Sequence, residues 1–160
     1  MAIHRLEAGP DTIRVGLIDR SYPPLLTVDP GDEVHLSTLG LWAGEVAFGA
    51  PFEEVMRVRA RYAGRGPHSI TGPIAVRGAK AGQILRVDIL ELQVGDVGMN
   101  LMAPGANSRG LLADDFPQGS VRHFRLDRER MTVEFADGIR LPLRPFLGIL
   151  GVAPADEGPH

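Results

Sequence analysis

The chain contains no cysteine. That excludes disulfides, thiolate metal ligands and a cysteine nucleophile from these residues, so hydrolytic chemistry would need an oxygen nucleophile, an activated water or a metal. Long hydrophobic runs are missing as well. No stretch of about 18 apolar residues occurs, which leaves no spanning helix. The opening segment, Met1 to Pro10, lacks the apolar core of a secretory signal, so the cytoplasm is the expected compartment. An excess of one charge is also absent: 17 Lys and Arg against 20 Asp and Glu give a net charge of -3, mixed along the chain. Nucleic-acid binding needs a basic patch or stripe, and none is visible.

Glycine and proline are plentiful instead. The 160 residues hold 20 Gly and 13 Pro, set between short alternating apolar runs. This punctuation reads as a mostly β protein with many turns. Apolar content of 44% and charged content of 23% are ordinary for a globular chain long enough to form one domain with a real core.

One stretch organises the rest. His68-Ser-Ile-Thr-Gly72 is a polar, turn-rich loop, Pro73 to Val76 is a short apolar run, and Gly78 to Gly82 turns the chain into Ile84 to Leu92. In that last run Leu85, Val87 and Ile89 alternate with Arg86, Asp88 and Leu90, the period of a half-buried strand. His68, Ser69 and Thr71 therefore sit at the mouth of a strand pair, and rigid strands carrying a polar loop commonly build small-molecule sites. An ordinary loop before a hairpin is the alternative.

Upstream, Thr12 to Ile18 reads as a strand, followed by the Asp19 to Pro24 turn, the apolar run Leu25 to Val28, and the Asp29-Pro-Gly-Asp32 turn. Glu33 to Leu39 resumes as a strand with Val34 and Leu36 facing inward. Gly40 to Pro51 is a loose loop around Trp42, read as a surface aromatic packed on a sheet. Phe52 to Tyr62 is the helix candidate: Phe52, Val55, Met56 and Arg59 recur at helical spacing, with Glu53 and Glu54 in the first turn.

Downstream, Ala103 to Gly110 is a long glycine loop without the Gly-Lys-Ser/Thr ending of a phosphate loop. Asp114 and Asp115 form a carboxylate pair suited to acid–base or metal chemistry, or else a solvated turn. Val121 to Leu126 and Met131 to Phe135 read as a hairpin. Asp137-Gly138 carries a type I′ signal pairing Met131 to Phe135 with Ile139 to Leu143. His35 and His123 read as surface residues, and His4 and His160 as members of frayed ends. Leu26-Thr-Val28 with its glycine turn echoes Ile74-Ala-Val76 with its own, which suggests two similar hairpins facing each other. The expected fold is a mainly β, sandwich- or barrel-like domain of short strands and hairpins, with one short helix near residues 52–62.

Asp19-Arg-Ser-Tyr-Pro-Pro-Leu-Leu-Thr-Val-Asp-Pro-Gly-Asp-Glu-Val34 and His68-Ser-Ile-Thr-Gly-Pro-Ile-Ala-Val-Arg-Gly-Ala-Lys-Ala-Gly-Gln-Ile-Leu85 are similar to two segments of the acetamidase/formamidase family. Gly110 to Phe116 and Leu141 to Pro154 also resemble its pattern. The resemblance implies a mainly β fold, a homo-oligomer, and hydrolysis of a small linear amide such as formamide or acetamide to ammonia and the carboxylic acid. Where the family usually has Pro-Gly-Asp, this chain has Ala81-Gly82-Gln83. The family chain is also roughly twice as long, and its later half carries a grouping of His and carboxylates. The expectation is that residues 1–160 form one mostly β unit, the N-terminal portion of a longer amidase and inactive alone. A divalent metal such as zinc is the candidate cofactor, ligated mostly from the later half.

Amide hydrolysis needs an activated nucleophile, donors for the developing oxyanion and an acid for the departing amine. Imidazole as a side-chain type suits base or ligand work near neutrality, which makes His68 the first catalytic candidate and Thr71 the second. Gly72, through its backbone N–H, and the carboxylates Asp19 and Asp115 are candidates for substrate binding. Each also has a structural reading: His68 capping a turn, Thr71 making a side-chain turn bond, Asp19 starting the Pro-Pro turn. Two non-catalytic readings stand beside the amidase: a β-sandwich binding or assembly module, and a half that works only with a second chain. A cupredoxin-like copper site is ruled out by the missing cysteine.

Overall fold

Turn residues cut the strands short, and the short strands then pair across long sequence distances. The computed structural model describes residues 1–104, 112, 114–156 and 158–160. Ten strands and one α-helix are present among them: β1 (Ile3–Leu6), β2 (Ile13–Val15), β3 (Leu26–Val28), β4 (Glu33–Leu36), α1 (Phe52–Arg61), β5 (Ser69–Thr71), β6 (Ile74–Val76), β7 (Val97–Met102), β8 (Ser120–Asp127), β9 (Thr132–Ala136) and β10 (Ile139–Pro142). The fold is mainly β, as the alternating runs predict. The described residues group into two compact units, one of residues 1–46, 58–88 and 148–160, the other of 47–57 and 89–147.

In the first unit the strands form three pairs. β1 runs parallel to β4, β3 parallel to β6, and β2 antiparallel to β5. The two echoing segments are therefore not the leading strands of separate hairpins. They bond directly to each other in register, Leu26 to Ile74, Thr27 to Ala75 and Val28 to Val76. β4 likewise takes β1 as its partner rather than folding back on β3, and Asp32, just before β4, is bonded both to the β1 segment and to Asp29. Asp32 Oδ1 accepts the Ala2 N–H at 2.7 Å, and Asp32 Oδ2 accepts from His4 Nε2 at 2.9 Å and from the Asp29 N–H at 3.1 Å. These bonds, the Ala2 N–H foremost, hold the Asp32 carboxyl well below the ordinary carboxylate range. His4 is thus fixed in a strand, not frayed. His160 is fixed as well: it exchanges both backbone bonds with Ile18 at 2.9 Å. Arg20 Nη1 donates to the Ala155 carbonyl at 2.6 Å.

Leu6, Ile13, Val28, Trp42 and Val58 are the buried apolar residues of this unit. Trp42 is core, only 4% exposed, contrary to the surface position its loop suggested. A short 3₁₀ turn, Trp42–Gly44, folds it inward with φ of 51° at Trp42, 60° at Ala43 and 72° at Gly44. Leu36 departs from its inward expectation too: β4 ends in an exposed half, and Leu36 lies in it. β2 and the segment before β5 meet backbone to backbone at Gly16 and Gly66. A Cβ on Gly16, whose φ is +76°, would stand 2.1 Å from the Gly66 carbonyl oxygen.

The second unit is a four-stranded antiparallel sheet ordered β10-β9-β8-β7. Residues 137–138 do join β9 to β10, but Gly138 alone of the two takes positive φ, at 72°. A type I′ turn needs it at both. The ladder accordingly skips Phe135 between the Ile139–Ala136 and Arg140–Glu134 pairs, a bulge that absorbs the mismatch. His123 is half-buried rather than a surface residue: its Nε2 donates to the Ala50 carbonyl at 2.9 Å and its ring meets Phe48 edge-on. α1 has acidic residues Glu53 and Glu54 in its first turn and Arg59 and Arg61 in its last, each favourable to the helix dipole. Its Val55 is completely buried.

The largest departure is the run Ile84 to Leu92. Residues 83–95 carry no ladder, turn or bend, and residues 81–91 are exposed throughout. Alternation provides a face, but a strand also needs a backbone partner, and no described segment supplies one. The run Pro145 to Val152 is similarly without regular structure.

Two measurements test these supports. Gly16→Ala combines the left-handed penalty with a backbone clash and should destabilise by about 3 kcal/mol or more, whereas Gly78→Ala, with φ +78° and open space around its Cβ, should cost about 1 kcal/mol in urea unfolding. Asp32→Asn should lower Tm at pH 7. A depressed folded pKa stabilises above the ordinary value of 3.8 and that stabilisation is lost below it, so the Tm gap should close as the pH drops below 3.8.

Candidate functional site

The β2–β5 ladder positions the polar loop. Ile13 pairs with Thr71, Arg14 with Ile70 and Val15 with Ser69. The ladder is extended at both ends, by Gly16 N–H to the His68 carbonyl at 2.7 Å and by Gly72 N–H to the Thr12 carbonyl at 3.1 Å. The backbone of His68 is thereby anchored. Its side chain is exposed and makes no hydrogen bond or ion pair among the described residues. Asp19 follows Gly16 by three residues. Its Oδ1 accepts the Ser21 N–H at 2.8 Å, and that bond, helped by the Ser21 side chain, holds its carboxyl below the usual value.

Ser69 and Thr71 lie two residues apart on β5, so both side chains leave the same face of the strand. Both grip the segment that carries Trp42. Thr71 Oγ1 donates to the Ser37 carbonyl at 2.8 Å. Ser69 Oγ donates to the Gly40 carbonyl at 2.6 Å and accepts the Ala43 N–H at 2.9 Å. Trp42 N–H completes the set on the Pro67 carbonyl at 2.7 Å. The sequence places Ser69 beside His68 and Thr71 at the mouth of the strand pair but assigns it no role, although its spacing from Thr71 puts the two hydroxyls on one face. Gly72 is buried, takes φ of +132° and precedes Pro73 through a cis peptide bond. With its N–H engaged by Thr12, Gly72 offers shape rather than a free donor.

Beyond Trp42, Glu45 accepts from the Tyr62 hydroxyl and from Arg61 Nη2. The Tyr62 bond, then the Arg61 bond, lowers the Glu45 carboxyl, and the same contact raises the Tyr62 phenol. In the second unit, Asp115 is exposed beside an open cleft of about 390 Å³ whose lining includes Met102, Phe116 and Ser120. Asp19, His68, Thr71 and Gly72 all belong to the first unit, and Asp115 belongs to the second. Residues 105–111 and 113, which hold most of the glycine loop and part of the segment Gly110 to Phe116, lie outside the described residues. Among the described residues no three His, Asp or Glu side chains gather to hold a metal ion. No described helix is long and apolar enough to cross a membrane.

The family model for acetamidases and formamidases matches residues 19–159. The chain belongs to the acetamidase/formamidase family. Among its relatives is a formamidase of Methylophilus methylotrophus, 27% identical over 138 residues, a match covering 84% of this chain and 33% of that protein. Among solved structures, the acetamidase of Bacillus halodurans superposes with a TM-score of 0.77 at 26% identity, covering 97% of this chain and 48% of that one. An acetamidase of Yersinia enterocolitica shares the fold with a TM-score of 0.66 at 22% identity, covering 98% of this chain and 48% of that one. The chain therefore spans about a third of the formamidase and about half of each acetamidase.

If Ser69 and Thr71 hold the Trp42 segment, removing them should show as lost stability. Ser69→Ala leaves the Gly40 carbonyl and Ala43 N–H without their partner and should cost about 1–3 kcal/mol. Thr71→Val should cost about 1 kcal/mol. Urea unfolding of the two variants checks both; unchanged midpoints would free these hydroxyls for a role toward substrate.

Proposed function

We propose that this chain is the N-terminal portion of an amidase that hydrolyses a small linear amide, formamide or acetamide, to ammonia and the carboxylic acid. Membership of the acetamidase/formamidase family over residues 19–159 carries this reading. The enzyme is read as cytoplasmic and homo-oligomeric. His68 is its base. The backbone around the imidazole is held by the Gly16 N–H on the His68 carbonyl and by the Trp42 N–H on the Pro67 carbonyl while the ring itself is unengaged, an arrangement suited to proton transfer.

In the proposed reaction His68 takes a proton from the attacking water, and the water oxygen bonds to the amide carbon. The C–N bond then breaks, and the proton held by His68 passes to the nitrogen, which leaves as ammonia. The Thr71 hydroxyl, donating to Ser37, still has acceptor capacity with which to orient the amide N–H. Asp19 is the acceptor carboxylate of the same unit, and Gly72 shapes the turn beside them. Asp115 is kept as a substrate-binding candidate on its own cleft. A divalent metal such as zinc would need ligands from beyond these residues.

Exposure of the apolar residues from Ile84 to Leu90 favours a second reading, a β module whose role is assembly rather than catalysis. Ammonia release separates the two. The chain alone, incubated with formamide, should release ammonia no faster than buffer, and turnover by the chain alone would overturn the proposed division of the enzyme. In a chain extended to family length, His68→Ala should reduce kcat/KM by about 100-fold or more with Tm unchanged; equal kcat/KM would return His68 to a structural role.

A further inference from the structure

Two successive N–H groups, those of Trp42 and Ala43, leave the 3₁₀ turn toward the segment that carries His68. The Trp42 N–H donates to the Pro67 carbonyl at 2.7 Å, and the Ala43 N–H donates to Ser69 Oγ at 2.9 Å. His68 is the residue between those two anchor points. Its own carbonyl accepts the Gly16 N–H at 2.7 Å. Pro67, His68 and Ser69 are thus each bonded to another segment of the same unit. Of the three, His68 is the exposed one, and its ring is unengaged.

Backbone preference does not hold the turn that supplies these donors. φ is positive at Trp42, Ala43 and Gly44. A left-handed conformation crowds the Cβ of an ordinary residue against the following carbonyl. Glycine accepts it freely, whereas Trp42 and Ala43 keep it only where the surroundings over-determine it. Several bonds lie within the turn: the Gly44 N–H reaches the Gly40 and Leu41 carbonyls at 3.2 and 3.0 Å, and the Glu45 N–H reaches the Trp42 carbonyl at 3.1 Å. None of them ties the turn to the His68 segment. Ser69 does. Its Oγ accepts from Ala43 and donates to the Gly40 carbonyl at 2.6 Å. One hydroxyl therefore closes the turn across its base and fastens it to the residue that follows His68. Without it both ends of the turn are released, and the Trp42 N–H loses the alignment that reaches Pro67.

We infer that Ser69 is a positioning residue for His68: through the Trp42–Gly44 turn its hydroxyl fixes the backbone on both sides of the imidazole, and with it the direction in which the ring meets the substrate. The inference rests on the reading of His68 as the base. Proton transfer requires a heavy-atom approach of about 2.6–3.2 Å, and a displacement of about 1 Å costs about a hundredfold in rate. Ser69 touches no substrate in this role, so its loss falls on kcat and leaves KM in place.

The test uses a chain extended to family length. Ser69→Ala should lower kcat about tenfold or more with KM within about twofold. Gly78→Ala, a destabilising change elsewhere in the same unit, should keep both constants within about twofold. Ser69→Cys keeps the shape with a weak donor and a weak acceptor, so its kcat should fall between those of Ser69→Ala and the unsubstituted chain, and it carries the comparison where Ser69→Ala does not fold. The deciding measurement repeats the Ser69 substitution in His68→Ala. With no imidazole to aim, it should lower kcat no further than Gly78→Ala does in the same background. Unchanged kcat/KM in His68→Ala overturns the reading of His68 as base and this inference with it. A loss in His68→Ala overturns the positioning role alone if the Ser69 variants keep full kcat, if their loss is carried by KM, or if it is equal with and without the imidazole.

Discussion

Gly16 and Gly66 touch backbone to backbone, with no space for a Cβ between them, and the first unit depends on that contact. It lets the chain beyond β2 lie close enough to Pro67 and His68 for the Gly16 N–H to reach the His68 carbonyl. The ladder from there to the Thr12–Gly72 bond sets the direction of β5. β5 in turn decides where its hydroxyls point, and those hydroxyls hold the segment that buries Trp42. A close approach of two glycines, a ladder, two hydroxyls and one aromatic side chain make a single chain of dependence.

The same dependence changes how the polar loop is understood. Composition placed His68, Ser69, Thr71 and Gly72 together as one polar mouth. The structure divides them. Ser69, Thr71 and the Gly72 N–H are committed to internal bonds, and His68 alone keeps an unengaged side chain. Half-buried hydroxyls with their bonds made stiffen the segment they hold, and a catalytic group is more useful on a rigid base than on a mobile one. Scaffold and chemistry are thus carried by adjacent residues of one short strand and the turn that precedes it.

What could be read from the sequence follows the range of the interaction. α1 is local: its period, its early Glu53 and Glu54 and its closing Arg61 all lie within one helix, and its limits were legible to a residue. The β9–β10 hairpin is nearly local, and only the turn type at residues 137–138 and the bulge at Phe135 escaped. Strand partners are not local. Nothing in Leu26–Val28 says that it pairs with Ile74–Val76 rather than with β4. Trp42 was misplaced because its burial depends on left-handed backbone pinned by a serine 27 positions later (Trp42 to Ser69). The Ile84 to Leu92 alternation was real as a pattern, but pattern alone does not provide a neighbour. For the site, family segments pointed to the loop as a whole, while the division of labour inside it required the hydrogen bonds.

The reciprocal bonds between Ile18 and His160 carry a consequence for synthesis. A ribosome releases Ile18 early and His160 only after almost everything else in this chain. Until then the backbone just past β2 has an open position beside Asp19. The parallel pairs β1–β4 and β3–β6 also wait on intervening chain, and such non-local contacts are slow to close. The first unit therefore cannot finish folding as it emerges, and it passes through a period with strand edges unpaired. Unpaired edges in such an interval are the kind of surface on which nascent chains associate.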